Sequence, residues 1–301
     1  MMTIKALYNK FAIRGKTNVF EEYNSNIDYH PLHANPVFIT GAGRSGTHFL
    51  STIFSLGKEI KSYHLDSIGN SVGDSFELFS RWHNLKVDRQ GFINSRGFLI
   101  KKCKQEKLRF LESNPLIAFS FHNLINAFGG KAVIVYRNPQ KVIESHFRKG
   151  WYEQNVIFDN NIPGFIYDLK KPNHYFSRFT PINSSEESWK TMSRLQKITW
   201  MWVETYKRIL ENSQLVNSEN IIWVCLDDFD YQQYLKLSEN VGISEIISQE
   251  KFKEIVRKKP GKGATQEKVI WTENDLNYFK VKTEEILGKS SPIKLAPQIN
   301  Q

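Results

Sequence analysis

Only two cysteines, Cys103 and Cys225, occur in the chain. They stand far apart without metal-type spacing, which argues against a disulfide framework or a cysteine-held zinc and for a reducing compartment. Long apolar runs are missing too. Residues 1–35 contain none that a signal peptide or anchor needs, and nothing later approaches the roughly 18 uninterrupted apolar residues of a spanning helix. The expectation is a soluble, cytoplasmic protein with no membrane span. Acidic residues are in deficit, 41 Lys and Arg facing 31 Asp and Glu, for a formal net charge of +10. Such an excess favours anionic company: nucleic acid, a phosphorylated and sulfated nucleotide, or an acidic glycan. What is present suffices for a sizeable core. With 301 residues, 40% of them hydrophobic, the chain suits a single α/β domain. A polar leader (1–35) precedes the first periodic segment, and an aromatic-rich insertion (150–188) interrupts the later part.

Residues 36–56 (PVFITGAGRSGTHFLSTIFSL) read as strand, glycine-rich loop and helix. Val37 to Ile39 form the apolar run, and Phe49, Leu50, Ile53 and Phe54 fall on one helical face. Glycines at such a turn let the backbone approach a ligand, and the N–H groups opening the helix favour an anion. Gly41 and Gly46 have the outer spacing of a Walker A loop, but the Walker lysine and magnesium-binding hydroxyl are absent, with Thr47 and His48 in their places. An ATPase of that type is disfavoured. Gly41, Gly43 and Gly46 also spell a dinucleotide fingerprint, with Asp66 roughly 20 residues on. Finally, Arg44-Ser45-Gly46-Thr47 resembles, in order, the 5′-phosphosulfate loop of sulfotransferases that use 3′-phosphoadenosine-5′-phosphosulfate (PAPS).

A second stretch favours that last reading. Residues 132–136 (AVIVY) form a continuous β-rich run, as for a strand buried on both faces of a parallel sheet. Arg137 follows at once, then Asn138 and Pro139 as helix N-cap and first helical residue. Ser145 lies six residues past Pro139, about 9 Å along the helix at 1.5 Å per residue. Arg137 and Ser145 together resemble the 3′-phosphate motif of the same sulfotransferases.

The resemblance implies a P-loop nucleotide-kinase-like sulfotransferase fold: a central, mostly parallel sheet with helices on both faces. It implies transfer of a sulfuryl group from PAPS to a hydroxyl or amine, leaving 3′,5′-adenosine diphosphate (PAP), with no metal and no nucleic-acid partner. Gly43, Arg44, Ser45, Gly46, Thr47 and His48 then surround the sulfated tail, with Arg44 also acting in catalysis. Arg137 and Ser145 hold the ribose phosphate. Arg257, Lys258 and Gly261 resemble the family's Arg-Lys-Gly segment, although an extra Lys-Pro separates the basic pair from the glycine. For the general base the candidates are His64, Asp66 and His122, with His64 preferred because a second strand over 59–65 places it at a strand's carboxyl end. The aromatic insertion suggests an acceptor lid and a carbohydrate or glycolipid acceptor. A sugar-phosphate isomerase, which also uses a Gly-Ala-Gly-Arg-Ser-Gly loop, and a non-catalytic polyanion-binding module stay open.

Elsewhere the pattern predicts short helices over 76–82 and 104–111 within an acceptor-facing insertion, a helix over 119–128 and a long helix over 189–210. It further predicts a buried strand over 221–226, a helix over 231–241, and a final helix over 272–287 capped by Thr272 with Asp275.

Overall fold

The computed structural model describes residues 34–65, 71–153, 156–158, 165–167, 176–182, 186–258, 268–288 and 291–294. Strands β1 (Val37–Thr40), β2 (Ile60–His64), β3 (Arg109–Ser113), β4 (Lys131–Tyr136) and β7 (Ile221–Cys225) form one parallel sheet in the order β2-β3-β1-β4-β7. Two short strands, β5 (Val156–Phe158) and β6 (Phe165–Tyr167), pair antiparallel apart from it.

Alternation along the central strands explains why both faces are covered. Phe38, Ala132, Ile134 and Tyr136 point into one core, Val37, Ile39, Val133 and Val135 into the other. The first core is closed by α2 (Ser71–Trp82), α3 (Gln90–Gln105), α4 (Phe121–Phe128), α5 (Pro139–Phe147), α7 (Arg194–Ser213) and α10 (Glu273–Glu284), through residues such as Leu78, Leu99, Leu124, Val142, Trp202 and Phe279. The second is closed by α1 (Thr47–Phe54), α8 (Tyr231–Asn240) and α9 (Gln249–Arg257), through Leu50, Ile53, Leu237 and Phe252. A short α6 (Glu186–Thr191) precedes α7, and Ser193 separates them by capping α7 in a box with Gln196. The single helix expected from residue 189 is therefore two. Thr272 and Asp275 make the expected box at the start of α10.

The largest correction falls on residues 104–111. They do not form a helix of their own: α3 ends at Gln105, and β3 begins at Arg109. The strand was hidden because it carries Arg109 and Glu112, which do not read as buried. Glu112 is fully buried nonetheless, its carboxylate taken by Arg96 at 2.8 and 3.1 Å and by the Asn114 amide at 3.0 Å. Residues 71–114 thus supply a sheet strand as well as helices. In chain order the sheet grows first to one side of β1 and then, from β4, to the other. The switch brings the carboxyl ends of β1 and β4 side by side, with Thr40 in register with Ile134.

Candidate active site

The loop after β1 turns sharply and is held from behind. Gly46 has φ +116°, and a Cβ there would lie 2.2 Å from Leu226 Cδ2, so no other residue fits without displacing Leu226. Gly46 is also the N-cap of α1, which no side chain caps and whose first turn has no acid. Its opening N–H groups are the donors an anion uses. Arg44 is non-glycine at φ +66°, and its Nε donates to Ser145 Oγ at 2.9 Å. One bond thus joins the β1 loop to α5. Burial, then the neighbouring Arg137, lowers the Arg44 pKa. An anion bound beside Arg44 would offset that repulsion.

Ser45 behaves differently from expectation. It is fully buried and does not line the cleft. The Tyr206 hydroxyl donates to Val135 O at 2.8 Å, so the Ser45 hydroxyl donates in turn to Tyr206 at 3.0 Å, while Ser45 N–H closes the turn onto Ala42 O at 3.2 Å. Burial pushes the Tyr206 phenol far above its ordinary range. The side chain expected on the phosphate instead ties the loop to α7. Thr47 and His48, at the start of α1, do line the cleft with Gly43 and Gly46.

Sequence reasoning missed His146. It is fully buried, and its Nε2–H donates to Gly43 O at 2.9 Å. Burial first, and Arg44 second, push the imidazole down to about 3, so it is neutral. A Cβ on Gly43 would come within 3.0 Å of His146 Cε1. The spacing carried the signal, because His146 follows Val142 by four and Ile143 by three and so shares their buried face.

After β4, Arg137 lies 3.5 Å from Asp227 Oδ1, and Lys141 Nζ lies 2.8 Å from the same oxygen. Burial raises the Asp227 carboxyl, but hydrogen bonds from Lys141 and the Asn138 N–H, with the charges of Lys141 and Arg137, outweigh it and hold the group below its ordinary value. Asp227 stays ionised beside the two cations. On the opposite side, His64 Nδ1 lies 2.6 Å from Ser113 O, and a carbonyl can only accept. Nδ1 therefore carries the proton and Nε2 is the basic nitrogen. The His48 ring meets the His64 ring edge-on at 5.0 Å.

Arg44, Thr47, His48, His64, Arg137 and Ser145 all line one cavity of about 1110 Å³. Its described wall holds three cations, Arg44, Arg137 and Lys141, against one carboxylate, Asp227. Leu226, Phe229 and Val256 are among its apolar lining, as are Leu78, Pro115, Leu116, Trp151, Phe179 and Met201. Other expected residues do not meet here. His122 lines a separate cavity of about 300 Å³. Arg257 and Lys258 sit exposed at the end of α9, where Lys258 pairs with Glu254, and Val256 is the described α9 residue that reaches the cleft. Asp66 and Gly261 lie outside the described residues. Among the described residues, no group of three or more His, Cys, Asp or Glu is placed to hold a metal ion, and no helix is long and apolar enough to cross a membrane.

No protein-family profile matches the chain, and no curated protein sequence does. Solved structures do match. The sulfotransferase STF9 from Mycobacterium avium superposes with a TM-score of 0.51 at 11% identity, over 88% of this chain and 78% of that one. The sulfotransferase STF1 from Mycobacterium tuberculosis gives 0.48 at 10% identity, over 91% and 81%. Mouse sulfotransferase SULT7A1, complexed with PAP, gives 0.44 at 11% identity, over 85% and 86%. The chain has the sulfotransferase fold, an α/β fold with a parallel central sheet covered by helices.

Proposed function

We propose that the protein is a sulfotransferase that moves a sulfuryl group from PAPS to a hydroxyl or amine. The observation that carries this reading is convergence: Arg44 on the β1 loop and Arg137 with Ser145 after β4 face one cleft, and Arg44 is bonded to Ser145. A donor with a phosphosulfate at one position and a phosphate at another needs two such grips within one molecule's reach. An isomerase acting on a sugar phosphate leaves the pairing of Arg137 with Ser145 unexplained.

PAPS supplies an activated sulfuryl group whose departure leaves negative charge on the bridging oxygen. The N–H groups opening α1 and the Arg44 guanidinium are the donors suited to that charge. Thr47 and His48 support the 5′-phosphosulfate, and Arg137, Lys141 and Ser145 the ribose phosphate. Phe229 and Leu226 offer the adenine ring of the nucleotide an apolar face. His64, with its basic Nε2, takes the acceptor proton, a contribution of about 10² to 10⁴ in rate. The cavity exceeds the roughly 300 to 1,000 Å³ of a single-ligand pocket, which supports simultaneous occupancy by donor and acceptor. The wall of Leu78, Pro115, Leu116, Phe179 and Met201 supports an acceptor with an apolar body more than an extended carbohydrate.

The test is calorimetry with PAP, followed by transfer from labelled PAPS across a panel of apolar alcohols, phenols, amines and sugars. Micromolar or tighter PAP binding with transfer to an apolar member is expected. Failure to bind PAP while a sugar phosphate binds overturns the reading.

A further inference from the structure

We propose that the cavity beside His122 is a second anion site, taking a tetrahedral dianion such as sulfate, phosphate or their esters. This site is independent of the transfer reaction. Arg81 from α2, Lys86 and Arg89 from the connection to α3, and Arg208 from α7 line it together with His122 from α4, and among the described residues no carboxylate does. Two acids lie behind these cations. The buried Glu77 accepts from Arg81 Nε at 2.7 Å and lies 3.3 Å from Arg89 Nε, and the exposed Glu211 lies 3.5 Å from Arg208. Two carboxylates therefore back four cations, and the surplus positive charge faces the cavity.

The cations are also held in place, which lowers the entropy lost on binding. Arg89 donates to Leu85 O at 3.0 Å and to Val87 O at 3.2 Å, so its own loop fixes the guanidinium. Arg208 sits over the rings of Trp82 and Phe119 at 5.8 and 6.0 Å. Asn84 and Asn212 complete the lining with amides. His122 lines the site and reports on its charge. It is 8% exposed, and its Nδ1 is buried without a hydrogen-bond partner. Burial, then Arg81 and Arg208, push the ring down to about 4, leaving it neutral among cations. A dianion here offsets the repulsion from Arg81 and Arg208 and favours the imidazolium. An aromatic wall divides this cavity from the transfer cleft, since Phe119 lines one, Phe179 lines the other, and their rings pack at 5.4 Å.

The experiment uses the full chain carrying Arg44→Ala and Arg137→Ala, which removes the transfer cleft's two arginines and leaves this cavity intact. The His122 ring resonances, assigned by loss in His122→Gln, are followed by NMR from about pH 3.5 to 7, a window that spans the ring's low midpoint and its expected rise. Sodium sulfate, inorganic phosphate and PAP are titrated separately at ionic strength held constant with sodium chloride. The expected result is a saturable shift, a His122 midpoint raised by at least one pH unit, and tighter binding as pH falls. A response to inorganic sulfate or phosphate without PAP assigns a free ion, and a stronger response to PAP assigns an ester. Arg81→Gln with Arg208→Gln should abolish the shift, and Lys86→Gln, at an exposed position, should weaken it several-fold with the fold untouched. A non-saturating response reproduced by chloride overturns the proposal, as does full retention of the shift in both sets of variants.

Discussion

At the scale of single residues, charge and its placement dominate. Arg44→Ala and Arg137→Ala should each weaken PAP binding by about 10- to 100-fold, since hydrogen bonds to charged groups are worth about 1.5–3 kcal/mol. Calorimetry reads the loss, and an unchanged melting temperature shows that the fold survives. His64→Ala should leave PAP affinity within two-fold and lower turnover by about 10² to 10⁴; normal turnover would move the base elsewhere. His146 makes a prediction about acid. Its folded pKa of about 3 lies below the unfolded value near 6.5, so between the two the unfolded chain binds a proton that the folded chain refuses. The stability it contributes is full above about pH 6.5 and is lost as pH falls towards 3, at about 1.4 kcal/mol per unit. His122 acts in the same direction down to about 4. Urea melts from pH 7 to 5 should show this slope, and His146→Gln, which keeps a donor for Gly43 O, should make it shallower by about the share of one histidine.

At the scale of elements, the loop between β1 and α1 depends on Gly46. Gly46→Ala combines an unfavourable φ with a contact against Leu226, so a stability loss of about 1–3 kcal/mol is expected. Binding of PAP should fall far more than stability does, because the N–H groups of α1 lose their aim; calorimetry beside a thermal melt separates the two. This loop and its counterpart after β4 were legible in the sequence. Each follows an apolar run, and the second announces its helix with Asn138 and Pro139, whose side-chain cap on Lys141 N–H is present at 3.2 Å. Their meeting on one side of the sheet followed from parallel topology. What could not be read depends on partners distant in the chain. Ser45 turns inward because Tyr206, 161 residues away, offers it a hydroxyl. β3 was hidden because Glu112 looks solvent-facing until Arg96 is folded over it. His122 stood as a base candidate on residue type alone, and its position against Arg81 and Arg208 was not visible along the chain.

At the scale of the molecule, a buried polar knot fastens the layers. Arg96 on α3 lies 2.7 Å from Asp74 on α2 and 2.8 Å from Glu112 on β3, and the Asn114 amide bridges the two acids at 2.8 and 3.0 Å. Arg96→Met strands two carboxylates without their cation, a loss of about 3–5 kcal/mol that chemical denaturation measures. An Arg96→Met, Asp74→Asn, Glu112→Gln triple variant should recover part of it. The position of β1 has a different consequence, for biosynthesis. Its partners are β3, starting at Arg109, and β4, starting at Lys131, so this early apolar segment leaves the ribosome with both edges bare. At about 5–20 residues per second, translation keeps it waiting on the order of seconds for its neighbours. Through that interval two unpaired strand edges are open to other chains, and co-expression with a chaperone that shields them should raise the soluble yield.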